Sequence, residues 1–168
     1  CRFHRVDFSG GNWEQGVWRD CDLTDGNLAN VHTRRCLLQR SRLTTMRATG
    51  LQWTDGSVKD VTITGCRLDL AGFRFSKLRH VVFDDCRLTG ADFTNADLTG
   101  TVWRDCDLTE AKFHHATMTS TRLENCVVDG ISGVDAMNGA TIASADLLSL
   151  TYSLARAHGI TIEHPAAD

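Results

Sequence analysis

Residues 91–100 read Ala91-Asp92-Phe93-Thr94-Asn95-Ala96-Asp97-Leu98-Thr99-Gly100, two units of five with a small residue first and a large apolar residue third. Stepping outward by fives from Phe93 gives Leu88, Phe83, Leu78 and Phe73 on one side, and Leu98, Trp103, Leu108 and Phe113 on the other. The series holds without a break from Phe3 to Val128; of its 26 members only Thr33 is polar, and Ala48 is the one small apolar residue. An amphipathic helix would repeat at i, i+3 and i+4, and a half-buried strand would alternate in twos. A period of five fits neither, so the chain is not built from ordinary helices or ordinary strands.

Two residues before each large position lies a second, mostly smaller apolar one: Cys21, Cys36, Ser41, Cys66, Ala71, Ser76, Cys86, Ala91, Ala96, Cys106, Ala111, Ala116 and Cys126 among them. All seven cysteines fall in this slot. If residues two apart point the same way, one large and one small side chain face inward and the other three face water. Such filling suits a narrow closed interior built by stacking units.

The units Ala91-Asp92-Phe93-Thr94-Asn95, Ala96-Asp97-Leu98-Thr99-Gly100 and Asp107-Leu108-Thr109-Glu110-Ala111 resemble those of pentapeptide repeat proteins. The resemblance covers about residues 1–131. It implies an all-β fold, a right-handed quadrilateral parallel β-helix in which four pentapeptides form the four sides of one coil. A coil is then 20 residues, and the sequence recurs at that interval: Cys66, Cys86, Cys106 and Cys126, or Phe73, Phe93 and Phe113. Residues twenty apart should stack about 4.8 Å from each other, giving about six coils and a rod ~30 Å long. Thr33 and Ala48 predict irregular or underpacked coils around residues 33–48.

Residues 132–168 belong to the same domain but leave the register. Val128 to Met137 is one residue short of two repeats, across Gly130-Ile131-Ser132-Gly133, after which Met137, Ile142 and Leu147 resume the fives. Ser144 then reads as a helix N-cap, Leu147, Leu150 and Leu154 share one helical face, and Gly159 reads as the residue past the helix end. A helix is expected near 145–158, capping the open end of the solenoid, with a short closing strand at 160–162. The segment from Ser153 to Ile162 also resembles the dimer-forming C-terminus of gyrase-binding quinolone-resistance members of the family. That resemblance implies a homodimer, with Leu147, Leu150 and Leu154 as the candidate interface.

Composition narrows the function. Eighteen basic and 21 acidic residues leave a net charge of −3, which does not suit direct nucleic-acid binding. No apolar run approaches the length of a membrane span. An odd number of cysteines and no glycosylation sequon favour a reducing, cytoplasmic setting. The cysteines occupy slots filled elsewhere by Ala and Ser, and a linear stack is not a tetrahedral metal site. His4, His32, His80, His114, His115, His158 and His164 fall on different sides. No metal, cofactor or catalytic constellation is expected, and an unbroken register leaves no long loop for a lid, so the chain does not read as an enzyme.

Surface charge is segregated along the chain. Arg47, Arg67 and Arg87 are twenty apart and should stack, with Asp107 next in the column. Asp84, Asp85, Asp92, Asp97, Asp105, Asp107 and Glu110 make the later coils acidic. Stacked like charges are unfavourable unless an anion or acidic partner lies across them or local carboxylates relieve them. The arginines are therefore a candidate anion or partner contact, and the acidic residues a candidate partner surface. The family resemblance implies a protein partner, with DNA gyrase or topoisomerase IV engaged by a DNA-like rod as one reading. A generic scaffold with another protein target is the other.

Overall fold

The computed structural model describes residues 1–162 and shows a right-handed parallel β-helix of about seven coils with one C-terminal helix; His164 lies outside the described residues. Each pentapeptide forms one side. The first face carries Phe3, Leu23, Leu43, Ile63, Phe83, Trp103 and Leu123 in one column, with Phe3 paired to Leu23, Leu23 to Leu43, and Phe83 to Trp103. The second face holds the column of Arg47, Arg67 and Arg87, the third that of Trp13, Thr33 and Trp53, and the fourth that of Trp18, Leu38 and Val58. Three longer strands, Leu37–Thr44, Ser57–Thr64 and Lys77–Asp84, run round the corner from the fourth face to the first.

Corners impose their own chemistry. Every fifth residue from Arg5 to Gly130 has a left-handed φ, between 47° and 71°. That region is free only to glycine and tolerable to Asn and Asp, which accounts for Asp20, Asn30, Asp55, Asp85, Asn95 and Asp105 there. Between corners the backbone pairs with the coils above and below, as in Asp92 N–H to Ala71 O and Phe93 N–H to Lys112 O, both 2.8 Å. Backbone polarity is thus satisfied by stacking.

Phe73, Phe93 and Phe113 stack face to face at 5.2 and 5.3 Å, and Phe83 stacks on Trp103 at 5.9 Å. Cys66, Cys86, Cys106 and Cys126 line one buried inward column, as the period requires. Their thiols donate to the carbonyl two residues earlier, for example Cys66 Sγ to Thr64 O at 3.3 Å and Cys106 Sγ to Arg104 O at 3.1 Å. A neighbouring sulfur in the column, with burial, pushes the Cys66 and Cys106 thiols up and keeps them protonated. These are packing thiols.

Around residues 33–48 the register stays regular, contrary to the expected irregularity, because Met46 and Leu51 bring large side chains into the smaller slots on either side of Ala48. The filling is incomplete. A cavity of about 40 Å³ remains beside Leu28, Leu51 and Leu68.

At the C-terminal end the register shortens by one residue: Thr141 pairs with Arg122 and Ile142 with Leu123. The chain achieves this through Gly133, at φ 76°, where a Cβ would lie 2.4 Å from His114 N, and a 3₁₀ turn at Val134–Met137. This extra short coil brings the number to about seven. Helix α1 spans Leu147–Ala157. Ser144 is not its N-cap; it opens a separate 3₁₀ turn, Ser144–Asp146. The helix closes as expected at Gly159, with Ile160 N–H bonded to Ala155 O at 2.8 Å and Gly159 N–H to Arg156 O at 3.1 Å. Residues 160–162 form no strand; once the helix has turned at Gly159, Ile160 and Ile162 lie exposed.

Candidate functional site

The second face is assembled by single parallel bridges, Asn27 to Arg47, Arg47 to Arg67, Arg67 to Arg87 and Arg87 to Asp107. The structure therefore brings the three predicted arginines together as adjacent rungs. Asp69, nearly buried, accepts a hydrogen bond from Arg87 Nε at 2.7 Å and so neutralises the top rung. Asp107 turns instead to the Thr109 hydroxyl at 2.6 Å and the Thr89 hydroxyl at 3.3 Å. Among the described residues, neither Arg47 nor Arg67 has a carboxylate within ion-pair distance. A shallow groove beside them is lined by Asn30, Arg47, Thr49, Arg67, Asp69 and Arg87. Two unneutralised guanidinium groups flanked by an amide and a hydroxyl form a surface suited to carboxylates or other oxoanions.

The seven acidic candidates do not form one surface. Asp92 and Asp97 sit on the third and fourth faces and are held by Arg74 at 3.8 Å and Arg79 at 2.5 Å. Glu110 occupies the corner between the second and third faces. Asp84, Asp85, Asp105 and Asp107 alone share a locality, the corner between the first and second faces. The fivefold period dictates this scatter, because each step of five moves a residue round by one face. Where Asp84, Arg104 and Glu124 stack twenty residues apart, the ion pair formed is Arg104 to Glu124 at 3.0 Å.

Helix α1 divides the predicted interface. Leu150 is 7 % exposed and packs into the end of the solenoid, so it cannot meet another molecule. Leu147 and Leu154 are exposed, together with Leu148 at 73 % and Tyr152 at 48 %. Sequence reasoning missed Leu148 and Tyr152, although their spacing of four marked a second face of the same helix. Ile160 and Ile162 extend this apolar end.

No group of three His, Cys, Asp or Glu among the described residues is placed to hold a metal ion, and no described helix is long and apolar enough to cross a membrane. The six described histidines are exposed and dispersed.

The chain matches the family model of pentapeptide repeats, in eight copies, over residues 1–40, 66–102 and 86–125. It belongs to the pentapeptide repeat family. The unmatched stretch between residues 40 and 66 contains Ala48 with the large Met46 and Leu51 in the neighbouring slots. Among solved structures, a pentapeptide repeat protein of the Arabidopsis thaliana thylakoid lumen is 31 % identical, with 49 % of this chain and 50 % of that chain aligned at a TM-score of 0.40. The match thus spans half the length of that relative. A trypsin-treated form of QnrB1, a plasmid-mediated fluoroquinolone resistance protein, aligns over 96 % of this chain and 97 % of its own, at 14 % identity and a TM-score of 0.42. HetL, a protein involved in heterocyst differentiation regulation from the cyanobacterium Nostoc, aligns over 83 % and 82 % at 15 % identity and a TM-score of 0.25. No curated protein sequence matches the chain.

Proposed function

We propose that this chain is a non-enzymatic, cytoplasmic protein-binding rod that pairs two-fold through the outer side of α1 and meets its partner on the second face. The observation that supports it is the Arg47–Arg67 pair, stacked on adjacent rungs by the backbone with no carboxylate among the described residues in ion-pair distance. Arg2, Arg5, Arg19, Arg34 and Arg42 also lack an ion pair, but none of them is bridged to another arginine. A convex solenoid presents its variable chemistry at outward positions, which serves recognition better than it serves enclosing a transition state. The apolar end formed by Leu147, Leu148, Tyr152 and Leu154 supports the pairing, because a two-fold contact would bury the same patch on both copies. Light scattering at tens of micromolar tests the dimer: twice the mass of the 18.5 kDa chain is expected, and a monomer would refute it.

A second reading, that the partner is DNA gyrase or topoisomerase IV, is favoured by the acidic corner of Asp84, Asp85, Asp105 and Asp107. Whole-length mimicry of a duplex needs one negative charge per ~1.7 Å of axis, and the remaining carboxylates are scattered or paired. On this reading the acidic corner alone stands in for phosphates. A gyrase supercoiling assay with and without a quinolone decides it. Inhibition or protection that disappears when Asp85 and Asp105 are both changed to Asn supports gyrase; an unaltered assay supports another protein target.

A further inference from the structure

We propose that the axis of the N-terminal coils holds a dry binding site for a small, uncharged, apolar ligand about the width of a xenon atom.

Two short side chains occupy column positions next to the cavity, although neither of them lines it. Ala48 stands between Leu28 and Leu68 on the second face, and Thr33 between Trp13 and Trp53 on the third. All four column neighbours, with Leu51, line the internal cavity of about 40 Å³. Where the columns carry Phe73, Phe93, Phe113, Phe83 and Trp103 the rings touch in stacks, and the cavity stops at Phe73 and Phe83. Below it, the large inward residues of the first coil are all aromatic. Phe3, Phe8, Trp13 and Trp18 meet with centroids 5.2–6.0 Å apart and close the axis as a half-exposed plug.

Two magnitudes select the occupant. A buried water takes ~10–15 Å³ of such volume but needs two to four polar partners, and every residue lining the cavity is apolar. The Thr33 hydroxyl and the Trp53 Nε1–H are buried without partners, but neither atom faces the cavity, since Thr33 is not among the lining residues and Trp53 Nε1 lies against Gly56. Water is therefore disfavoured. An engineered apolar cavity that accepts benzene measures ~150 Å³, so a ring is too large here and a xenon-sized molecule is the upper limit. Dispersion contacts with the surrounding Leu and Trp side chains, which lack partners across the void, would supply the affinity.

The test is methyl NMR of the intact protein under increasing xenon pressure. The Leu28, Leu51 and Leu68 methyl resonances should shift saturably, while those of Leu98, Leu108 and Leu123 in the other half stay put. Leu51→Phe, which adds volume at a lining position, should reduce the saturable shift at Leu28 and Leu68 at least several-fold, and Thr33→Val, which changes shape little, should leave it in place while the chain remains folded. Small linear shifts of similar size in both halves would overturn the proposal. So would a saturable shift that survives Leu51→Phe in a folded protein.

Discussion

Asp146 Oδ2 accepts a hydrogen bond from the Cys126 backbone N–H at 3.0 Å. Lower in the rod the same task falls to the side chain twenty residues on, as when Met46 N–H meets Cys66 Sγ at 3.3 Å, Cys21 N–H meets Ser41 Oγ at 3.1 Å, or Gly56 N–H meets Ser76 Oγ at 3.2 Å. Asp146 thus continues the cysteine column into the segment leading to α1 and satisfies a donor that the last coil would otherwise bury unpaired. Asp146→Ala should cost about 1–3 kcal/mol in urea unfolding, the penalty for an orphaned buried donor. Asp146→Asn, which keeps an acceptor, should recover most of it. Equal losses for the two variants would show that the oxygen is not what matters.

Phe93 is wholly buried between Phe73 and Phe113 and touches Trp103 edge-on at 6.0 Å. Phe93→Ala should cost about 3–5 kcal/mol, the transfer and cavity penalty of a large core side chain. Denaturant unfolding measures this directly, and a loss under about 1 kcal/mol would contradict the packing.

Acid should weaken the rod through its surface ion pairs. Arg40 holds the Asp20 carboxyl below the usual range, and Arg104 and then Arg122 do so for Glu124. With the folded pKa the lower one, the stabilisation is present above the unfolded value near 4 and is lost as pH falls through the folded value. Arg40→Ala and Arg104→Ala should therefore flatten the fall in thermal midpoint between about pH 5 and pH 3. The effect should be small, because these pairs are exposed.

The apolar end gives a prediction that separates folding from association. Leu148→Glu places a charge where the native side chain is 73 % exposed, so helix content and thermal midpoint of the monomer should stay near native. Sedimentation should show the dimer lost. Leu150→Glu should instead unfold the cap, because that residue is buried.

The groove beside Arg47 and Arg67 should respond to oxoanions. Sulfate stabilises proteins generally through exclusion from their surface, so the informative quantity is the excess over a variant. The thermal midpoint should rise more in sulfate than in chloride at equal ionic strength, and the surplus should shrink in Arg67→Ala. An unchanged surplus would leave the arginines as solvated surface.

The regular part of this fold was legible because one period sets both the inward slots and the stacking interval; Phe93 and Cys86 were placed by counting alone. The same periodicity brought Arg47, Arg67 and Arg87 together. The acidic cluster misled because nearness in sequence is not nearness on a four-sided rod: Asp92 and Asp97 lie one and two faces away from Asp107. At the C-terminus the period ends, and Leu150 and Leu148 differ only in which side of α1 meets the coil, which no local pattern encodes. That nearby carboxylates such as Asp69, Asp85 or Asp107 could relieve the arginine column was legible; that Asp69 is the one, through an offset of eighteen residues across neighbouring coils, and that it serves Arg87 alone, took three dimensions.

Recognition through the second face is tested most directly by photocrosslinking from single positions on the intact protein in extract of its native host. A photoreactive residue at Thr49, beside the two open arginines, should give a discrete crosslinked protein that disappears when Arg47 and Arg67 are both changed to Ala. The same residue at Thr117, on the fourth face, should not capture it. Capture of the same protein from both positions, or capture that persists without the two arginines, would contradict the account.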